Sequence, residues 1–208
     1  SKFNPHFLYN TLEMLRTQIY QNGDTKTAEL VVTLASIFRG FISSKSFVSI
    51  GEELSFSKRY LTLLQARYGD SVHICYDIDT EVLQYGIIRN ILQPLIENYF
   101  IHGFDPSEKD NYLLFQGKCQ TDNTILLSVK DNGLGMSPEK MAALKESLNE
   151  PICMESESYG LKNIHQRIRL FYGGSCGLTI SSNDKKGLCV TLRIRKLTCE
   201  EQALQQRE

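Results

Sequence analysis

The chain has 208 residues, 41% hydrophobic side chains and a formal net charge of -1. These values fit a globular chain of one large or two small domains and give no electrostatic case for nucleic acid or an acidic membrane surface. Six cysteines form no Cys-x-x-Cys pair, and the four histidines are scattered, which argues against a zinc site and for reduced thiols.

Asn4 to Gln21 reads as a helix, with Asn4 as cap and Pro5 at the first helical position. Leu8, Leu12, Leu15 and Ile19 recur at helical spacing and form a seam for another helix. Asn22-Gly23 stops it, and Asp24 can cap a second helix with Leu30, Leu34, Ile37, Phe38 and Phe41 on one stripe, ending near Ser43-Ser44. One hairpin cannot bury both stripes, so a second copy is expected, giving a four-helix dimer core. Ser49-Ile50-Gly51-Glu52 matches a capping box and opens a third helix to about Arg67, with Leu54, Leu61, Leu64 and Tyr68 along one side. Gly69-Asp70 is a turn, and a domain boundary is expected there.

Beyond it the period changes. Val72, Ile74, Tyr76 and Ile78 alternate with His73, Cys75 and Asp77, as in a strand. Residues 85–102 are strongly apolar and are expected to be one helix interrupted at Pro94. Strands are expected near 111–119, 124–131, 176–182 and 187–195, with helices from Ser137-Pro138 to about Leu148 and from Gly160 to Tyr172. The polar tail after Lys196 is expected to fray. This order predicts an α+β fold, a mixed sheet with helices on one face.

Lys130-Asp131-Asn132-Gly133-Leu134-Gly135-Met136 follows the strand Ile125–Val129. A carboxylate at a strand end can accept a hydrogen bond from an exocyclic amine, and the two glycines let backbone approach a ligand. Asn98 lies in an otherwise apolar stretch and needs a partner; its carbonyl oxygen suits Mg²⁺. His102 follows one turn later on the same face. Gly160-Leu161-Lys162-Asn163 opens a helix, where free amides attract anions. Residues 137–158 separate these two glycine motifs. His6 sits at a helix start and carries a nitrogen lone pair that is nucleophilic near neutral pH.

In that order, the Asn98 stretch, Asp131-x-Gly133-x-Gly135 and Gly160-Leu161-Lys162-Asn163 resemble the N, G1 and G2 boxes of the Bergerat (GHKL) ATP-binding fold. Asn4-Pro5-His6-Phe7-Leu8-Tyr9-Asn10-Thr11-Leu12 resembles the phosphoacceptor box of LytS/YesM-type sensor histidine kinases. Glu52-Glu53-Leu54, Tyr60-Leu61 and Arg67-Tyr68-Gly69-Asp70 match the linker of that family.

The resemblance implies a helical dimerisation and phosphoacceptor region over 1–69, a Bergerat-type ATP-binding domain over 70–197 and a polar tail over 198–208. It implies that His6 is the phosphoacceptor and that ATP is held by Asn98, His102, Asp131, Gly133, Gly135, Gly160, Leu161 and Lys162, with Mg²⁺ at Asn98. It further implies a homodimer and transfer of the phosphoryl group to an aspartate of a response regulator receiver domain. The chain starts without Met inside a motif. It is therefore expected to be the cytoplasmic piece of a sensor anchored in the inner or plasma membrane through an N-terminal part missing here.

Two other functions compete. A GHKL ATPase would place a catalytic Glu four residues before Asn98, but that position is Pro94, and Glu97 points about 100° away around a helix. A nucleotide-binding scaffold with weak or no kinase activity is suggested by Ile101, where related kinases usually have Lys, and by Ser158, where the G2 box usually has Gly.

Overall fold

Helix α1 (Pro5–Gln21) and helix α2 (Thr25–Ile42) pair across a turn in which Gly23 takes a φ of +83°. Asp24 caps α2 by accepting from the Thr27 amide at 3.0 Å. These elements belong to a computed structural model that describes residues 5–42, 45–69, 71–150, 159–183 and 186–205. The expected cap Asn4, the end at Ser43-Ser44, Asp70 and Ser158 lie outside the described residues. The expected seam on α1 divides. Leu12 is buried with Ala28 and Ile37, whereas Leu15 is exposed together with Phe7, Met14, Tyr20 and Val32.

Strand β1 (Phe47–Ser49) leads directly into α3 (Ile50–Tyr68). The capping box is present: the Glu52 amide donates to Ser49 Oγ at 3.1 Å, and the Ser49 amide donates to Glu52 Oε2 at 2.8 Å. Helix α2 crosses α3 closely at Gly40, where a Cβ would lie 2.5 Å from the Phe56 ring.

A five-stranded sheet follows, in the order β2-β4-β5-β7-β6. Its strands are β2 (Val72–Ile78), β4 (Asn111–Cys119), β5 (Thr124–Asp131), β6 (Gly177–Ser182) and β7 (Leu188–Arg195). Only β2 and β4 run parallel, so the sheet is mixed as expected. Register explains its two faces. Phe115 opposes Val129, which opposes Val190, and Leu127 opposes Leu192, so the apolar positions of three strands fall on one buried face. Gln116, Ser128 and Thr191 share the other, partly exposed face.

Against the buried face pack α4 (Gln93–Asn98) and α6 (Tyr159–Tyr172), with α5 (Pro138–Ser147) beside the sheet's end. The same core takes in Val48, Ile50, Leu54 and Leu61 from β1 and α3.

Two expectations require correction. Residues 85–102 are not one helix: Gly86–Ile88 form β3, which pairs antiparallel with β1, and Asn90 takes a φ of +55°. Helix α4 begins only at Gln93, continuing into a wider turn over Tyr99–Gly103. Pro94 starts the helix rather than interrupting it, because a proline near a helix start gives up an amide that has no intrahelical acceptor. The tail does not fray over Cys199–Gln205, which form α7. There Gln202 is buried, and its Nε2 donates to the Gly86 carbonyl at 2.8 Å and to the Tyr172 hydroxyl at 3.0 Å. Among the described residues no helix is long and apolar enough to cross a membrane.

Candidate nucleotide site

The end of β5 sets the centre of the site. Asp131 is the last residue of that strand, and its inward position follows from the same alternation that buries Ile125, Leu127 and Val129. Asp131 Oδ1 accepts from the amides of Gly133 at 2.9 Å and Leu188 at 3.2 Å. Among the described residues no hydrogen bond reaches Oδ2, and Asp131 lines the adjoining cavity, so this oxygen can accept from a ligand there. Burial pushes the Asp131 carboxyl above the usual carboxylate range, with the two amides pulling the other way.

The turn after Asp131 is fixed from several sides. Asn132 Oδ1 accepts from the Tyr112 amide at 2.8 Å, and Asn132 Nδ2 donates to the Asp110 carbonyl at 2.8 Å. The Leu134 amide donates to the Gly103 carbonyl at 2.7 Å. Gly133 is required by that approach, since a Cβ there would overlap the Gly103 carbonyl oxygen. Asn183 Nδ2 donates to the Asp131 carbonyl at 2.8 Å, tying the β6–β7 connection to the same point.

A cavity of about 600 Å³ opens beside Asp131, within the size range of small-molecule sites. Asn98, His102, Asp131, Gly135 and Leu161 all line it, so five of the expected ATP residues converge. Gly133 stands behind Asp131 rather than on the wall. Gly160 is exposed and lies near Pro94, away from the wall. Lys162 departs furthest from expectation: it is buried, does not line the cavity, and its Nζ lies 3.7 Å from Glu150 Oε2.

Sequence reasoning missed the far wall. Met136, Lys140, Ala143, Leu144 and Ser147 come from the α5 side, and Tyr99, Gly103 and Leu188 line it as well. The signal was available for α5, because Ser137-Pro138 fixes where that helix begins and hence which side of it meets Asp131. Among the described residues Lys140 is the one lysine or arginine on the wall and could meet a phosphate.

Glu97 faces away from the cavity, accepting from the Tyr60 hydroxyl and from Gln93 Nε2, each at 2.7 Å. His6 stands on α1, exposed, with the Asn10 side-chain amide 3.4 Å from its Nδ1. It does not line this cavity.

Residues 1–72 match the histidine kinase family, and residues 85–198 match the histidine kinase-, DNA gyrase B- and HSP90-like ATPase family. Sensor histidine kinase YpdA of Escherichia coli is 35% identical over 175 residues, covering 83% of this chain and 30% of that protein. Sensor histidine kinase YesM of Bacillus subtilis is 31% identical over 195 residues, covering 93% of this chain and 32% of that protein. The chain thus spans about a third of the length of these relatives. In fold it is similar to the histidine kinase domain of the Erythrobacter litoralis EL346 blue-light activated histidine kinase, at 12% identity and a TM-score of 0.50, covering 98% of this chain and 89% of that one. The catalytic domain of histidine kinase ThkA gives a TM-score of 0.52 at 13% identity, covering 73% of this chain and 97% of that one. With both family models matched in order and the ATPase region built around Asp131 as described, the chain belongs to the sensor histidine kinases of the YesM type.

Proposed function

We propose that this chain is the catalytic part of an ATP-dependent protein histidine kinase that phosphorylates His6. The observation that carries the reading is the convergence of Asn98, His102, Asp131, Gly135 and Leu161 on one cavity of nucleotide size. Asp131 Oδ2 accepts from the adenine amine, and the phosphates extend toward Asn98, His102 and Lys140. The Asn98 amide oxygen is the protein ligand of Mg²⁺, which neutralises phosphate charge when bound.

The acceptor is neutral His6. The Asn10 side-chain NH₂ stands 3.4 Å from Nδ1 and can donate only to an unprotonated nitrogen, so in this contact the neutral ring carries its proton on Nε2. The lone pair of the unprotonated ring nitrogen attacks the γ-phosphorus, the bond to the β–γ bridging oxygen breaks, and the proton on the other ring nitrogen passes to solvent. A response regulator receiver aspartate then takes the phosphoryl group, and the working form is a homodimer. The parent protein is anchored in the inner or plasma membrane, with this part in the cytoplasm. The sequestered Glu97 supports transfer over hydrolysis, because neither it nor Pro94 offers a base to a water in the cavity.

Incubation with γ-labelled ATP tests the proposal. Label that is lost in acid and stable in base, absent from His6→Gln while ATP affinity stays unchanged, is the expected result. Acid-stable label persisting in His6→Gln would refute it.

A further inference from the structure

Helix α4 has only six residues, too few to hold its own geometry. It is entered through Asn90, in the left-handed region, and left through the wider turn Tyr99–Gly103. Its buried Leu95 and Ile96 fix which side faces the core, but apolar contact is non-directional and tolerates rotation about the helix axis. At 100° per residue, a small rotation would move the Asn98 amide across the cavity wall. Something directional must set the phase of this helix.

Helix α3 supplies it at both ends. Glu53 is 1% exposed, and its carboxylate accepts three successive amides at the entrance to α4. Asn90 donates to Oε2 at 3.0 Å, and Ile91 and Leu92 donate to Oε1 at 2.8 and 3.1 Å. Two turns along α3, the Tyr60 hydroxyl donates to Glu97 Oε1 at 2.7 Å, and Gln93 Nε2 reaches the same oxygen at 2.7 Å. Glu97 immediately precedes Asn98. Burial, with Glu97 adding to it, pushes the Tyr60 hydroxyl up, so the phenol stays a donor across the physiological range.

We infer that Glu53 and Tyr60 are positioning residues for Asn98: α3 grips the short helix at its entrance and at the residue before Asn98, and so sets where that amide stands in the cavity. The inference rests on the Mg²⁺-binding role proposed for Asn98. Neither side chain lines the cavity; each acts through α4. An outer contact of this kind behaves like the partner of a metal ligand, whose loss weakens the metal-dependent part of binding and leaves the rest alone.

The test is calorimetric titration of the full chain with ATP, once with Mg²⁺ and once with EDTA, alongside thermal melting. Tyr60→Phe removes one hydroxyl, Glu97→Leu removes the acceptor, and Glu97→Gln keeps an oxygen for Tyr60. Tyr60→Phe and Glu97→Leu are expected to lose about tenfold of the affinity measured with Mg²⁺. With EDTA they should match the unmodified chain within about twofold, because Asp131 and Gly133 are held by other bonds. Glu97→Gln should restore the Mg²⁺-dependent gain. An undiminished gain in Tyr60→Phe overturns the inference. So does an equal loss under both conditions with a lowered melting midpoint, which would make the contact merely structural. Asn98→Ala separates the two layers. If it abolishes the gain while Tyr60→Phe keeps it, only the positioning role falls; if it keeps the gain, the metal role of Asn98 falls and takes this inference with it.

Discussion

Replacing Asp131 by Asn should move stability and ligand affinity in opposite directions. Asp131 Oδ1 is committed to the Gly133 and Leu188 amides. An asparagine oxygen can take over both bonds, which forces its Nδ2 into the position of Oδ2, facing the cavity. The free protein then loses no hydrogen bond and no longer holds a buried ionised group. The bound nucleotide fares worse, since two donors, the asparagine NH₂ and the adenine amine, now face each other. A buried polar group left unpaired costs about 1–3 kcal/mol, or roughly fivefold to 150-fold in affinity. Isothermal titration with ATP measures that loss.

The same substitution has a signature in pH. Asp131 is shifted upward in the folded state, so between its unperturbed value of 3.8 and the raised folded value the native protein binds more protons than the unfolded one. Stability therefore falls as pH rises through that window, and the burial penalty is absent below it. Asp131→Asn should flatten this component of the melting midpoint against pH. An affinity unchanged within about twofold, or a variant that melts several degrees lower at neutral pH, would refute the reasoning.

Gly133→Ala should weaken ATP binding by roughly tenfold or more in the same titration, because its Cβ would displace the Gly103 carbonyl and open the turn that carries Asp131's amide partner. Light scattering should find the chain dimeric and the pair Met14→Glu with Leu15→Glu monomeric, because those exposed side chains are free to meet a second copy. Leu12→Glu should instead disrupt the hairpin itself and lower its helicity in circular dichroism, since Leu12 is covered by its own chain.

Where local chemistry decides structure, the sequence was enough. The capping box at Ser49, the turn at Gly23 and the strands Asn111–Cys119 and Thr124–Asp131 stand where periodicity and cap residues put them. Asp131, Asn98 and His102 could be marked as a group only by resemblance, because spacing in the chain does not say which faces converge. The errors share a cause. Residues 85–102 look helical by composition, but Glu53, 37 residues before Asn90, offers their amides a carboxylate that competes with helical carbonyls. Gln202 looked like part of a solvated tail; its amide is buried because Gly86 leaves room for it. Each miss turns on a contact between residues distant in sequence, which no local pattern encodes.

The contact between Gly86 and Gln202 also bears on how the chain is made. The Gly86 amide donates to the Leu197 carbonyl at 2.7 Å, and its carbonyl takes the Gln202 amide, 116 positions later. Strand β5 likewise has one neighbour, β4, until Leu188–Arg195 emerge from the ribosome to pair along its other side. Through the intervening synthesis the nascent sheet presents β5 as an open edge, a template for pairing with another unfinished chain. The α1–α2 hairpin, closed by neighbours in sequence, can form at once. Completion of the sheet therefore waits until β7 has emerged, and slow elongation across β6 and β7 would lengthen the interval in which that edge is open.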